Sequence, residues 1–376
     1  MLKKVSPLFN IILPLLLGIV LLYWNKSRVR KAEDIGLGEG TSSYYPSLNN
    51  YPIHLSTPSS LDLFMKGWKK RGGSELYLWV GNSQLHGVNQ YKNSDKNSVE
   101  ILFDSLKQYN REVLGTSYPN ANLQELLATT VYYTSIVKIK AVIMPVFYDD
   151  MREDGIRDII SSCNPLVMAL KKDSIYFDNI ESIKSLETKS NEMPNTEESK
   201  DFGGIKETAQ DVSERYLNGK LESQWEIWKK RPDFRGDFFN DLYVWRNKLL
   251  GIKPTTVRKI IPGRFRQNYN AFETLSKFCL IKKLPLYIYI PPIRSDVPPP
   301  YNMNEYTAFK EQVKADCKKW GVHFINLENL VPAKYWGTTG TKNDVNGGGQ
   351  IDFMHFQFGG HRLLADTVFK TLIRTE

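Results

Sequence analysis

A serine, a histidine and a carboxylate can together move an acyl group, and this sequence offers one of each in suggestive places. Ser83 stands in Gly81-Asn82-Ser83-Gln84, at the carboxyl end of the apolar run Leu76-Tyr77-Leu78-Trp79-Val80. Asp352 and His355 stand three residues apart near the carboxyl terminus, in Asp352-Phe353-Met354-His355. A serine hydroxyl is a poor nucleophile at neutral pH and needs an adjacent base. Imidazole is the usual base, and a carboxylate on its other nitrogen fixes the tautomer and stabilises the imidazolium. A loop or turn carrying Asp-x-x-His can present both groups from one segment, with the carboxylate turned back to the ring. The competing reading makes Ser83 a turn residue and His355 a structural histidine.

Positioning these groups requires a scaffold, and the hydrophobic pattern supplies one. After Ser83 come a segment with Val99, Leu102 and Leu106 on one helical face, a short strand at 112–115, a long helix over 122–139, and an apolar strand at 141–147. The alternation resumes with a strand at 286–290, a helix ended by Gly321, a strand at 322–326 and a closing helix over 361–373. Strand and helix alternating at this spacing predict a parallel sheet with right-handed crossovers. The expected fold is therefore flavodoxin-like, a three-layer α/β/α architecture with a parallel sheet of about five strands. Ligands of such sheets lie beyond the carboxyl ends of the strands, which is where Ser83 falls.

Between about 152 and 270 the rhythm breaks, and this stretch reads as a helical insertion. The charged residues 182–214 have the composition of a mobile loop. Trp225, Trp228, Phe234, Phe238, Phe239, Tyr243 and Trp245 suit either packing onto the sheet or a lid that stacks on sugar rings. Ahead of the domain, assigned to 61–376, residues 26–60 read as a polar tether and residues 1–25 as a membrane anchor. The anchor is the apolar run Leu8 to Trp24, within the length range of spanning helices and with an aromatic pair suited to an interface. No cleavage pattern follows it directly. Lys26, Arg28, Arg30 and Lys31 after the run would place the bulk of the chain in the cytoplasm by charge alone.

The net charge of +9 is spread over several clusters, which suits a solvated basic surface near anionic headgroups. No nucleic-acid-binding module is found. Cys163, Cys279 and Cys317 form no metal pattern and read as buried thiols. Asp149 and Asp150 have no histidine close by in sequence, and the 337–349 loop lacks the phosphate-binding G-x-x-x-x-G-K-[ST] spacing, so neither a metal nor a cofactor is expected. His54, His86, His323 and His361 read as structural.

Gly81-Asn82-Ser83 together with Asp352-x-x-His355, followed by Gly359-Gly360-His361 and a helix, resembles the SGNH (GDSL-like) hydrolase superfamily. The resemblance covers the domain from about Leu76 onward without the insertion, and is better in the first and last blocks than in the middle. It implies a catalytic Ser83, Asp352 and His355. It also implies an oxyanion hole made by the Ser83 N–H, by Asn120 where the family has a glycine, and by Asp149 where it has an asparagine. A carboxylate there would repel the oxyanion unless protonated, and Asn82 and Asn122 are alternative donors. With an anchor and a tether, the layout resembles the proteins that acylate bacterial cell-surface polysaccharides. That resemblance implies an extracytoplasmic domain, a multi-span membrane-bound O-acyltransferase as partner, and a polysaccharide acceptor. The implied activity is transfer of an acyl group, acetyl by analogy, through a Ser83 ester to a sugar hydroxyl. The alternatives are an esterase or deacetylase with the same triad, and a non-catalytic polysaccharide-binding subunit.

Overall fold

The computed structural model describes residues 40–173, 180–191, 256–339 and 350–374. The apolar run Leu8–Trp24 and the aromatic residues at 225–245 lie outside them. Among the described residues no helix is long and apolar enough to cross a membrane.

The described residues open with four short strands, β1 (Thr41–Ser43), β2 (Ser47–Leu48), β3 (Tyr51–Pro52) and β4 (His54–Leu55). Helix α1 (Leu61–Lys70) leads to β5 (Glu75–Gly81), α2 (Ser83–His86), β6 (Gly87–Asn89), α3 (Ser98–Lys107), β7 (Arg111–Ser117), α4 (Leu123–Ile136) and β8 (Ile139–Pro145). Among the described residues before 256, the α-helices α5 (Asp158–Ser161), α6 (Asn164–Lys172) and α7 (Glu181–Asn191) follow. The chain then runs through α8 (Pro262–Ile281), β9 (Leu286–Ile290), α9 (Met303–Trp320), β10 (His323–Asn326), β11 (Trp336–Thr339), β12 (Gln350–Phe356) and α10 (Phe358–Arg374).

Six strands form one sheet in the order β10-β9-β8-β5-β7-β4, and every pairing in it is parallel. From β5 the chain steps to β7 on one side and then crosses to β8 on the other. The strand order thus reverses beside β5, and that reversal opens a crevice at the strand tips. Strand alternation divides the core. Leu76, Leu78 and Val80 face a cluster built with α1, α4, α8 and α9, whereas Tyr77 and Trp79 face one built with α3 and α10. Burying each Leu, Ile or Val of these strands stabilises the fold by roughly 1.5–3 kcal/mol at most. The result is the expected three-layer α/β/α arrangement, with six strands rather than about five.

Several boundaries differ from the sequence reading. Residues 40–60, read there as tether, are part of the domain: β4 adds the sixth strand by pairing with β7, and β1 pairs with β6. Helix α8 packs on α4 and precedes β9, so it is a crossover helix of the sheet and the insertion ends before it. The first part of the 182–214 stretch, read as a mobile loop, is helical in α7, with Ile183 and Leu186 buried. Two ends follow simple capping rules. Asn122 and Glu125 form a reciprocal capping box at the start of α4, and Gly321 closes α9 in the left-handed conformation at φ 66°.

Candidate active site

Strand β5 stops at Gly81 because the next turn folds back on it. A Cβ at Gly81 would lie 2.5 Å from Leu85 Cδ1, so a larger residue there would have to push the Leu85 side chain aside. Asn82 then caps the four-residue helix α2, its Oδ1 accepting the Gln84 N–H at 3.0 Å. Its Nδ2 donates to both carboxylate oxygens of Asp150, at 2.9 and 3.0 Å, which fixes the amide orientation. Ser83 is the first residue of α2, so its N–H has no carbonyl partner within the helix. Gln84 ties this turn to its surroundings, donating from Nε2 to the carbonyls of Pro292 and Met354.

Asp352 and His355 lie on β12, a strand rather than the expected loop, but an interrupted one. Trp336 pairs with Phe356 and Thr338 with Ile351, so residues 352–355 of β12 bulge out opposite Gly337 alone. In the bulge, Asp352 Oδ1 accepts the backbone N–H groups of Met354 at 2.8 Å and His355 at 3.0 Å. This local turn aims Oδ2 at the imidazole. His355 Nδ1 lies 3.1 Å from Asp352 Oδ2, and His355 Nε2 lies 2.9 Å from Ser83 Oγ. Ser83, Asp352 and His355 are 5%, 4% and 8% exposed.

The protonation pattern follows from the partners. An ionised carboxylate only accepts, so Nδ1 carries the hydrogen and Nε2 keeps the lone pair that faces the Ser83 hydroxyl. Burial pushes the Asp352 carboxyl upward. The adjacent His355 imidazole, through its charge when protonated and its Nδ1–H, and the two backbone N–H groups outweigh it, and Asp352 is held below the usual carboxylate value. The arrangement is a base with its tautomer set, in contact with a hydroxyl that it can deprotonate.

The expected oxyanion-hole donors fare differently. Asn120 lies in the turn after β7, in the left-handed conformation at φ 50°. Register places Ser117 opposite Gly81, so this turn and the Ser83 turn stand at adjacent strand tips. Asp149 is not a donor: its Oδ2 accepts from Arg258 Nη1 at 2.6 Å and from the Tyr301 hydroxyl at 2.8 Å. The next residue, Asp150, is the one that reaches the nucleophile turn, through Asn82. Burial pushes the Asp150 carboxyl well above its usual value. Asn82 and Asn122 are also committed, the first to Gln84 and Asp150, the second to capping α4 and to the Gly155 carbonyl.

His54, His86 and His361 are buried and tied into the scaffold. Ser117 Oγ meets His54 Nε2 at 2.7 Å and His86 Nδ1 at 2.8 Å, and His361 Nδ1 meets Ser98 Oγ at 2.9 Å. Burial, more than the neighbouring imidazole charges, pushes His54 and His361 down to about 3 and His86 well below its usual value. They are neutral struts. Among the described residues no group of three or more His, Cys, Asp or Glu side chains is arranged to hold a metal ion.

Four residues near the triad escaped the sequence reading: Thr41 and Asn89, which reach Asp352; Gln84; and Gly87, on whose Cα the His355 ring rests. Gln84 and Gly87 flank the nucleophile in sequence, and that proximity was the only signal available.

No family model matches the chain, and no curated protein matches it. Among solved structures it is similar to Est24, a carbohydrate acetylesterase from Sinorhizobium meliloti, at 9% identity and TM-score 0.38, covering 80% of this chain and 100% of that one. It is similar also to Axe2, an acetylxylan esterase from Geobacillus stearothermophilus, at 9% identity and TM-score 0.35, covering 79% and 93%. A third is LAE5, an alpha/beta hydrolase enzyme from the metagenome of Lake Arreo, Spain, at 10% identity and TM-score 0.37, covering 79% and 94%. Likeness at this level assigns no activity to this chain.

Proposed function

We propose that this domain is a serine-dependent enzyme acting on acyl esters. The observation that carries the reading is the unbroken line from Asp352 Oδ2 through His355 to Ser83 Oγ, with contacts of 3.1 and 2.9 Å. In the first step Ser83 Oγ attacks the ester carbonyl while His355 Nε2 takes its proton, and Asp352 stabilises the imidazolium. The Ser83 N–H, at the helix start, is placed to bond the developing oxyanion. Collapse expels the alcohol, which receives the proton from His355, and leaves an acyl-Ser83 ester. A second acceptor, deprotonated by the same imidazole, then releases the acyl group.

With water as acceptor the enzyme is an esterase, or a deacetylase where the ester is an O-acetyl group. With a sugar hydroxyl it is an acyltransferase. The second reading rests on the resemblance of the apolar run Leu8–Trp24 plus the two motif blocks to anchored proteins that acylate cell-surface polysaccharides, and an anchored esterase would carry the same run. On that reading a multi-span membrane-bound O-acyltransferase would supply the acyl group.

The test is labelling of the full-length chain with a serine-reactive fluorophosphonate, read by intact mass. One adduct is expected, absent from Ser83→Ala and His355→Ala variants that remain folded by circular dichroism. An adduct that survives Ser83→Ala would remove Ser83 as nucleophile. Adding oligosaccharide acceptors to an acyl-enzyme made from p-nitrophenyl acetate then separates the outcomes: acetylated sugar marks the transferase, acetate alone the esterase.

A further inference from the structure

We infer that Thr41 and Asn89 are positioning residues for Asp352, and that the amino-terminal strand β1 thereby completes the triad. The inference rests on reading Ser83, His355 and Asp352 as a catalytic triad. Asp352 Oδ2 accepts from Thr41 Oγ1 at 3.2 Å and from Asn89 Nδ2 at 3.1 Å, on the same oxygen that faces His355 Nδ1. All three partners are buried, and Thr41 and Asn89 come from chain far from Asp352 in sequence.

The directions of these bonds are fixed by the donors available. Asn89 Nδ2 has two hydrogens and two close acceptors, Asp352 Oδ2 and Thr41 Oγ1, each at 3.1 Å. Because Thr41 Oγ1 accepts from Asn89, its own hydrogen is free for the carboxylate. Strand pairing puts the two residues side by side, Thr41 directly opposite Asn89 in the β1–β6 ladder. Gly337 makes room for the amide, since a Cβ there would lie 1.8 Å from Asn89 Oδ1.

These contacts do for the carboxylate what it cannot do alone. The Asx-type turn holds Oδ1 from one side only, and rotation of the rigid carboxylate about Cβ–Cγ would move both oxygens and take Oδ2 off the imidazole. Donors behind Oδ2 stop that rotation, and they also disperse the charge of a carboxylate buried beside its histidine. The same short segment grips both ends of the triad. Ser83 meets His355 Nε2, Gly87 backs the imidazole ring, and Asn89 holds Asp352. Residues 83–89 therefore act as a gauge that sets the spacing of nucleophile, base and carboxylate, with Thr41 locking its far end.

The experiment compares Thr41→Val, which keeps the shape and removes the hydroxyl, with Thr41→Ser, which restores it, in the full-length chain. Hydrolysis of p-nitrophenyl acetate gives kcat and KM separately, and the low-field proton resonance of the His355 Nδ1–H reports the Asp352 contact without turnover. Thr41→Val is expected to lower kcat about tenfold at unchanged KM, as loss of one charge-assisted bond would. It should also displace the low-field resonance, and Thr41→Ser should restore both. Wild-type kcat and an undisplaced resonance in Thr41→Val would overturn the inference. So would a Thr41→Ser variant as impaired as Thr41→Val, because the methyl group would then be the part that matters. A wild-type protein that neither hydrolyses the ester nor labels with fluorophosphonate would overturn the enzymatic reading; positioning by Thr41 would then stand or fall on the resonance alone.

Discussion

Replacing Gly87 with alanine should disable the base while leaving the fold largely intact. Gly87 has φ −84° and ψ 105°, which alanine adopts without strain, so the effect comes from space alone. The new Cβ would lie 2.7 Å from His355 Cδ2, 2.8 Å from the Ser83 carbonyl oxygen and 3.3 Å from His355 Nε2. Comfortable carbon contacts begin near 3.5 Å, so the imidazole must retreat by about 0.8 Å. Starting from 2.9 Å, the Nε2 to Ser83 Oγ distance would then pass out of hydrogen-bond range. Misplacement on that scale costs about 10- to 100-fold in rate. Overpacking should cost about 1–3 kcal/mol of stability. The assay is the rate of fluorophosphonate adduct formation, beside a thermal unfolding curve. Gly115→Ala is the control: its Cβ would meet Val99 Cγ1 at 2.4 Å, between β7 and α3, and should lower stability without slowing the folded fraction. A folded Gly87→Ala protein that labels at the wild-type rate would refute the close packing of ring on glycine.

Two further outcomes follow from the same geometry. A chain begun at Ser59 lacks Thr41, the buried Ile53 and Leu55 and the sixth strand, and should label slowly or fail to fold; one begun at Leu37 should match the full-length protein, and equal labelling of the two would contradict the role of residues 40–58. Stability should fall on acidification below pH 6.5, because the unfolded chain binds protons that His54 and His361, lowered to about 3, and His86 refuse when folded. Each such histidine contributes about 1.4 kcal/mol per pH unit in that window, where Asp150, raised by burial, acts with the opposite sign. With three histidines against two raised carboxyls, Asp150 and Glu153, urea midpoints should drop between pH 6.5 and 5, and a flat profile would contradict the neutral struts.

What could be read from the sequence was what repeats locally. Strands β5, β7, β8 and β9 stand out because each has a bounded apolar run, β10 because it follows the glycine that ends α9, and Asp352-x-x-His355 because its spacing fits one turn. Strand β4 is two residues long in a polar, proline-containing stretch and has no pattern to detect; only the β7 edge beside it gives it a role. Asp149, expected beside the nucleophile turn, faces Arg258 and Tyr301 instead, and it is Asp150 that contacts Asn82. Strand β8 ends at Pro145 and the chain enters a 3-10 turn at Asp149–Arg152, which sends Asp149 to Arg258 and Asp150 to Asn82. Thr41 and Asn89 meet Asp352 across most of the chain length, and no local pattern in the sequence marks contacts of that kind.

The β1–β6 pairing also has a mechanical side. β1 is the first element of the described domain; the Gly40 carbonyl accepts the Gln90 N–H, and three residue pairs follow. This short antiparallel ladder stands apart from the six-stranded sheet. Peeling β1 would carry Thr41 off Asp352 while leaving both core clusters in place. The carboxylate of the proposed triad is thus braced by the first ladder of the described domain, and loss of that ladder alone would unbrace it.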